Sequence, residues 1–172
     1  MKETKTISPP LSSTKKVNLF SFTVFQILSA AAGFVLSRTQ IFFDSSLGCY
    51  ATTLTGNSLG HYAELTQSLL LLCGAVPAIH RGTVLEALAG RSNVSLYPIT
   101  LSHSIFKYEA LMSEPEKYAR FVFNTIADQF GSMLYQNATT FWETIIGAYD
   151  FDRAGSLCHG WSAMPVYYLN IL

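Results

Sequence analysis

Tyr62-Ala63-Glu64-Leu65-Thr66-Gln67-Ser68-Leu69-Leu70-Leu71-Leu72-Cys73 is the run whose spacing decides the fold class. Tyr62, Leu65, Leu69 and Leu72 recur at intervals of three and four, which predicts a helix over about 61–75. Leu70, Leu71 and Cys73 fill its other faces, and a helix apolar nearly all round is buried on more than one side. Gly74 and then Pro77 supply its stop.

The same period continues downstream. Val84, Leu85 and Leu88 predict a short helix over 82–89 ending at Gly90, followed by a loop over 92–100 with Pro98. Leu101, Ile105, Tyr108, Leu111 and Met112 mark a helix over 101–112. Ser113-Glu114-Pro115-Glu116 has the form of a capping box, with Glu three residues after Ser. It opens a helix carrying Tyr118, Phe121, Val122, Ile126 and Phe130 and closed by Gly131. Residues 132–140 read as a loop or extended connection, with further helices starting near Phe141 and running from Ser162 to Leu172. Upstream, the Gly-, Ser- and Thr-rich residues 44–60 read as a loop between helices, placed to rim a site. The expected class is therefore all-α, built of helical hairpins as a bundle or a fragment of an α-toroid.

Charged residues make up only 13% of the chain and apolar ones 49%, against about 25% charged in average soluble domains. Such a chain either sits partly in a membrane or belongs to a larger body that covers its apolar faces. Eleven basic residues balance eleven acidic ones, with no Arg-rich run, which argues against nucleic-acid binding. Cys49, Cys73 and Cys158 are widely spaced and leave one disulfide open. His61, His80 and His103 lack metal-ligand spacing, and neither a metal nor a cofactor is expected. The first forty residues form a separate segment. Val17 to Ser37 carry no charge and follow Lys15-Lys16. They read as a signal peptide ending in Ser29-Ala30-Ala31-Ala32-Gly33 or as a core helix. A membrane span fits less well, because Asn18, Ser21, Thr23, Gln26 and Ser29 dilute it. A leader over Val17–Ala32 implies a secreted or periplasmic protein; otherwise the chain is cytoplasmic.

Two later stretches concentrate chemistry. Ala138-Thr139-Thr140-Phe141-Trp142-Glu143-Thr144 and Ser156-Leu157-Cys158-His159-Gly160-Trp161-Ser162-Ala163 bring together a carboxylate, an imidazole and two indoles. A carboxylate beside flat indoles suits a sugar site, where the acid group moves protons and the rings pack on the pyranose. Each residue also has a plainer reading. Glu143 can be an acidic residue at a helix N-terminus, His159 a loop histidine bonded to backbone, and Trp161 a core residue. Asn93-Val94-Ser95 and Asn137-Ala138-Thr139 fit the N-glycosylation pattern.

These two stretches and Tyr62-Ala63-Glu64-Leu65-Thr66-Gln67, in this order and spacing, resemble the closing part of the (α/α)6 barrel of α-L-rhamnosidase-like glycoside hydrolases, family 78 and related six-hairpin glycosidases. The resemblance spans about residues 40–172. It implies a partial (α/α)6 toroid over 41–172. It implies a carbohydrate ligand and Glu143 as the general base of an inverting hydrolysis, with Trp142, His159 and Trp161 lining the sugar subsite. The earlier hairpins of that barrel carry the general acid and have no counterpart before residue 40. Glu64, Glu109 and Asp150 are the nearest substitutes, and none lies in the family's acid motif. The resemblance thus implies a fragment or truncated form, inactive alone and completed by a second chain. Two other classes stay open: a non-catalytic carbohydrate-binding or partner-completing helical module, and a small membrane-anchored helical protein resting on residues 17–37.

Overall fold

The computed structural model describes residues 39–171. Residues 17–37, with their readings as leader, span or core helix, lie outside that range. The described residues are mostly helical: α1 Glu64–Leu72, α2 Ala78–Leu88, α3 Ser104–Leu111, α4 Pro115–Tyr135 and α5 Pro165–Ile171. None of these helices is long and apolar enough to cross a membrane.

Residues 43–60 are not one irregular loop. They form two antiparallel hairpins, β1 Phe43–Asp44 with β2 Cys49–Tyr50, and β3 Thr53–Thr55 with β4 Ser58–Gly60. The first turn is fixed by Asp44, whose Oδ1 accepts from Ser46 Oγ at 2.6 Å and from the amides of Ser46 and Leu47. The second turn has Gly56 at φ 62°, the left-handed geometry that two-residue hairpin turns demand.

The helix stops at Gly74 and Gly90 are as the sequence predicts. Both glycines are left-handed, and in each case the following amide reaches back to the last turn, Ala75 N to Leu70 O and Arg91 N to Glu86 O. Gly131 does not close α4. The helix runs on to Tyr135 because Phe130 and Met133 continue the buried row begun by Tyr118, Val122 and Ile126. A helical glycine costs about 1 kcal/mol, whereas burying a Met side chain contributes about 1.5–3 kcal/mol. The stop is Asn137, at φ 60°, with Ala138 N donating to Met133 O at 3.0 Å. Ser113 does not cap α4 either: the N-cap is Glu114, and Ser113 Oγ donates to Ala110 O. No helix starts at Phe141, and α5 begins at Pro165 rather than Ser162.

The core lies among α1, α2, α3 and α4, closed by Tyr50 and by Tyr168 of α5. α1 turns its Gln67, Ser68 and Leu71 inward and leaves Leu69 and Leu72 partly exposed, so its buried face is not the leucine stripe. Gln67 is fully buried because its amide completes the edge of β2. Oε1 accepts from Tyr50 N at 2.9 Å, and Nε2 donates to Tyr50 O at 2.7 Å. One helical turn away, Glu64 forms an ion pair with Lys107 of α3, with side-chain exposures of 16% and 11%. Glu64 Oε2 also accepts from Ile99 N at 3.0 Å. These polar pairs join α1 to β2 and α3, and the desolvated charges are neutralised as burial requires.

Candidate functional site

Beyond Asn137 the chain leaves α4 and runs beside residues 156–159. His159 N donates to Phe141 O at 2.8 Å, and Glu143 N donates to Ser156 O at 2.9 Å. Thr140 Oγ1 adds a bond to Leu157 O, and Ser156 N donates to Glu143 Oε2 at 3.2 Å. The two stretches singled out from the sequence are therefore joined side by side. Glu143 begins no helix, so a helix dipole does not explain it.

Residues 144–155 leave this ladder and return to it as a compact loop with a short 3-10 turn at Gly147–Tyr149 and a left-handed turn at Phe151–Arg153. Asp150 O accepts from the amides of Ala154 and Gly155 at 3.0 and 3.1 Å. Two glycines make the closure possible. A Cβ on Gly155 would stand 2.0 Å from Gly147 O, and one on Gly147 would stand 2.5 Å from Trp142 Cε3. Gly147 is also left-handed, at φ 63°. Phe151, Asp152 and Arg153 share that region, with φ of 49°, 56° and 73°. Left-handed residues other than glycine are strained, and three in succession mark a turn held by its surroundings.

The four site residues predicted from the sequence fall in different environments. Trp142 is a core residue, 8% exposed, packed on Gly147, and it does not offer its indole to solvent. Glu143 is half-buried, with Oε2 held by Ser156 N; among the described residues no hydrogen bond reaches Oε1. Trp161 is 73% exposed, which removes the core reading. Its ring stands edge-on to His159, with centroids 6.2 Å apart. His159 Nδ1, Thr144 Oγ1 and Ser162 Oγ are buried atoms without a hydrogen-bond partner among the described residues. An unsatisfied buried polar group costs about 1–3 kcal/mol, so three within residues 144–162 are a local cost that the packing of this segment bears. Ser156 opens the His–Trp stretch quoted from the sequence, but it was given no role of its own there, and nothing in the sequence pointed to Gly147.

The carboxylates considered as substitutes for a general acid all have structural partners. Glu64 is paired with Lys107, Asp150 Oδ1 accepts from Phe151 N at 2.9 Å, and Glu109 Oε1 accepts from Tyr168 OH at 2.7 Å. Burial first, and then the bond to Glu109, pushes the Tyr168 phenol well above its ordinary pKa, so it stays a donor.

An apolar groove of about 510 Å³ opens elsewhere, between the second half of α4 and α5. Ile126, Phe130, Leu134, Phe141 and Leu169 line it; Glu143, His159 and Trp161 do not. Among the described residues no cluster of His, Cys, Asp and Glu could hold a metal ion. His80 stacks on Phe43 at 4.0 Å, His103 Nδ1 lies 2.8 Å from Thr100 Oγ1, and His61 packs against Tyr97. All three cysteines are free thiols, and burial pushes that of Cys49 up to about 11.

No protein-family model matches the sequence, and no curated protein is similar enough to count as a relative. Among solved structures, the chain is similar to the crystal structure of a GH78 family rhamnosidase of Bacillus sp. GL1, at 26% identity and a TM-score of 0.64. The match covers 76% of this chain and 14% of that one. The likeness supports a distant fold relationship.

Proposed function

We propose that the chain is part of an (α/α)6 barrel of an inverting glycoside hydrolase acting on α-L-rhamnosides or similar glycans, with Glu143 as its general base. The observation that carries this reading is the ladder between residues 140–143 and 156–159. It fixes one carboxylate oxygen of Glu143 on Ser156 N and brings the stretch bearing Glu143 beside the one that leads through His159 to Trp161. The distant likeness to a rhamnosidase agrees with it.

In this reading Oε1 takes the proton of a water that attacks the anomeric carbon. A protonated carboxyl on the opposite face, roughly 6.5–9.5 Å from the base in inverting enzymes, gives its proton to the leaving oxygen. The exposed Trp161 face packs on the sugar ring, with His159 beside it. Trp142 acts from behind, by packing on Gly147 and setting the loop that follows the base. Glu64, Glu109 and Asp150 are committed to structural partners, so the acid comes from a second chain or from further hairpins of the barrel.

A substrate with a very good leaving group removes the need for that acid. The purified chain is expected to hydrolyse 2,4-dinitrophenyl α-L-rhamnoside slowly, with activity lost in Glu143→Gln and restored in Glu143→Ala by azide. Sugar binding without turnover supports the second reading, a carbohydrate-binding or partner-completing module; the commitment of all three substitute carboxylates favours it. Neither turnover nor sugar binding refutes both.

A further inference from the structure

We infer that His103 is a further sugar-binding residue beside Trp161, contacting one hydroxyl of the rhamnose ring through Nε2. The inference rests on the proposed carbohydrate reading and goes beyond it by naming a residue that reads a single hydroxyl. The chain reaches His103 from the start of α1, where Glu64 N donates to Tyr97 O at 2.9 Å and Ile99 N donates to Glu64 Oε2 at 3.0 Å. It then makes the short 3-10 turn Leu101–His103, which packs against the 3-10 turn Gly160–Ser162 that carries Trp161. Just beyond the first turn, Ser104 Oγ donates to Leu101 O at 2.7 Å and stands 2.9 Å from Met164 Sδ, which ties the bases of the two turns together. Each turn buries one residue, Leu101 in the first and Ser162 in the second, and carries an exposed ring, His103 and Trp161. Two touching turns with their buried residues inward present these rings on adjoining parts of one surface. The imidazole is held in place. Nδ1 lies 2.8 Å from Thr100 Oγ1 and 3.4 Å from Ser102 Oγ, and the ring stacks on Phe106 with planes 26° apart. Nε2 makes no hydrogen bond among the described residues. An imidazole nitrogen either donates or accepts, and a sugar hydroxyl does both, so an oriented ring with one nitrogen open suits a hydroxyl.

Wild type and His103→Ala are titrated with methyl α-L-rhamnoside and with its 2-deoxy, 3-deoxy and 4-deoxy analogues. The histidine ring nitrogens of the labelled full chain are followed alongside by nuclear magnetic resonance. The inference expects His103→Ala to bind the parent rhamnoside about threefold to tenfold more weakly. It expects no such loss toward one deoxy analogue, the one that lacks the hydroxyl His103 contacts. In wild type the His103 ring signals, assigned by their disappearance in the variant, shift saturably with the parent rhamnoside. Equal losses for all the ligands mean that His103 acts through the fold, and no loss means that it does not touch the sugar; either overturns the inference. If the alanine variant does not fold, His103→Gln and the wild-type ring shift decide between the same outcomes. Shifts at the Trp161 indole without any at the His103 ring overturn the inference and leave the proposed function standing. Failure of wild type to bind any of the rhamnosides overturns the proposed function and the inference with it.

Discussion

Replacing Gly147 by Ala tests how the loop behind Glu143 is built. The new Cβ would lie 2.5 Å from Trp142 Cε3 and 2.8 Å from Cζ3, where carbon atoms rest at about 3.5–4.0 Å. The indole is buried and has little room to retreat. Overpacking of this kind costs about 1–3 kcal/mol. The left-handed backbone, φ 63°, adds about 1–2 kcal/mol for any residue with a Cβ. Gly74→Ala is the control: its φ is 70°, but no atom lies within 4 Å of its added Cβ, so it carries the backbone cost alone. With a urea slope of about 2 kcal/mol per M, Gly147→Ala should unfold about 0.5–1.5 M earlier than Gly74→Ala. The chain has two tryptophans, so Trp161→Phe leaves Trp142 as the fluorescent reporter in all three proteins. Equal midpoints for the two glycine variants would refute the packing of Trp142 on Gly147.

Lys107→Met strands the part-buried Glu64 carboxylate and should cost about 1–3 kcal/mol in chemical denaturation. Adding Glu64→Gln, which keeps an acceptor for Ile99 N, should recover most of the loss; no recovery would mean that Lys107 matters through packing on Phe121 instead. Asp44 is held down to about 2, first by the Ser46 hydroxyl and then by Tyr62, whereas an unfolded Asp titrates near about 3.9. Its contribution is therefore present above about pH 4 and is lost as pH falls through about 2. Melting temperatures of Asp44→Asn should fall less than those of wild type across that window, and parallel curves would count against the Asp44 turn.

The helical class was legible because the runs over α1 and α4 carry plain three-and-four periodicity and Gly74 and Gly90 stop α1 and α2. The hairpins at 43–60 were not. Strands of two or three residues hold too little alternation to stand out, and their Thr, Ser and Gly read equally well as loop. Gly131 misled because a glycine inside a helix and one that ends it are the same letter, and only the burial of Met133 separates them. In α1 the leucines drew attention to the wrong face, since the buried side is set by partners distant in sequence, Tyr50 for Gln67 and Lys107 for Glu64. At the site, residue types alone placed the carboxylate, imidazole and indoles in two stretches, but not which indole faces solvent. That Trp142 goes inward follows from Gly147, whose missing side chain makes the space.

The account depends on one surface, formed by Glu143, His159 and Trp161, being where sugar binds. A titration of the isotope-labelled chain with methyl α-L-rhamnoside, followed by nuclear magnetic resonance, tests it most directly. The account predicts saturable shifts at the Trp161 indole N–H, the His159 ring and the Glu143 and Ser156 amides, all lost in Trp161→Ala. No shift at those positions, or shifts confined to the apolar groove at Phe130 and Leu169, would contradict it.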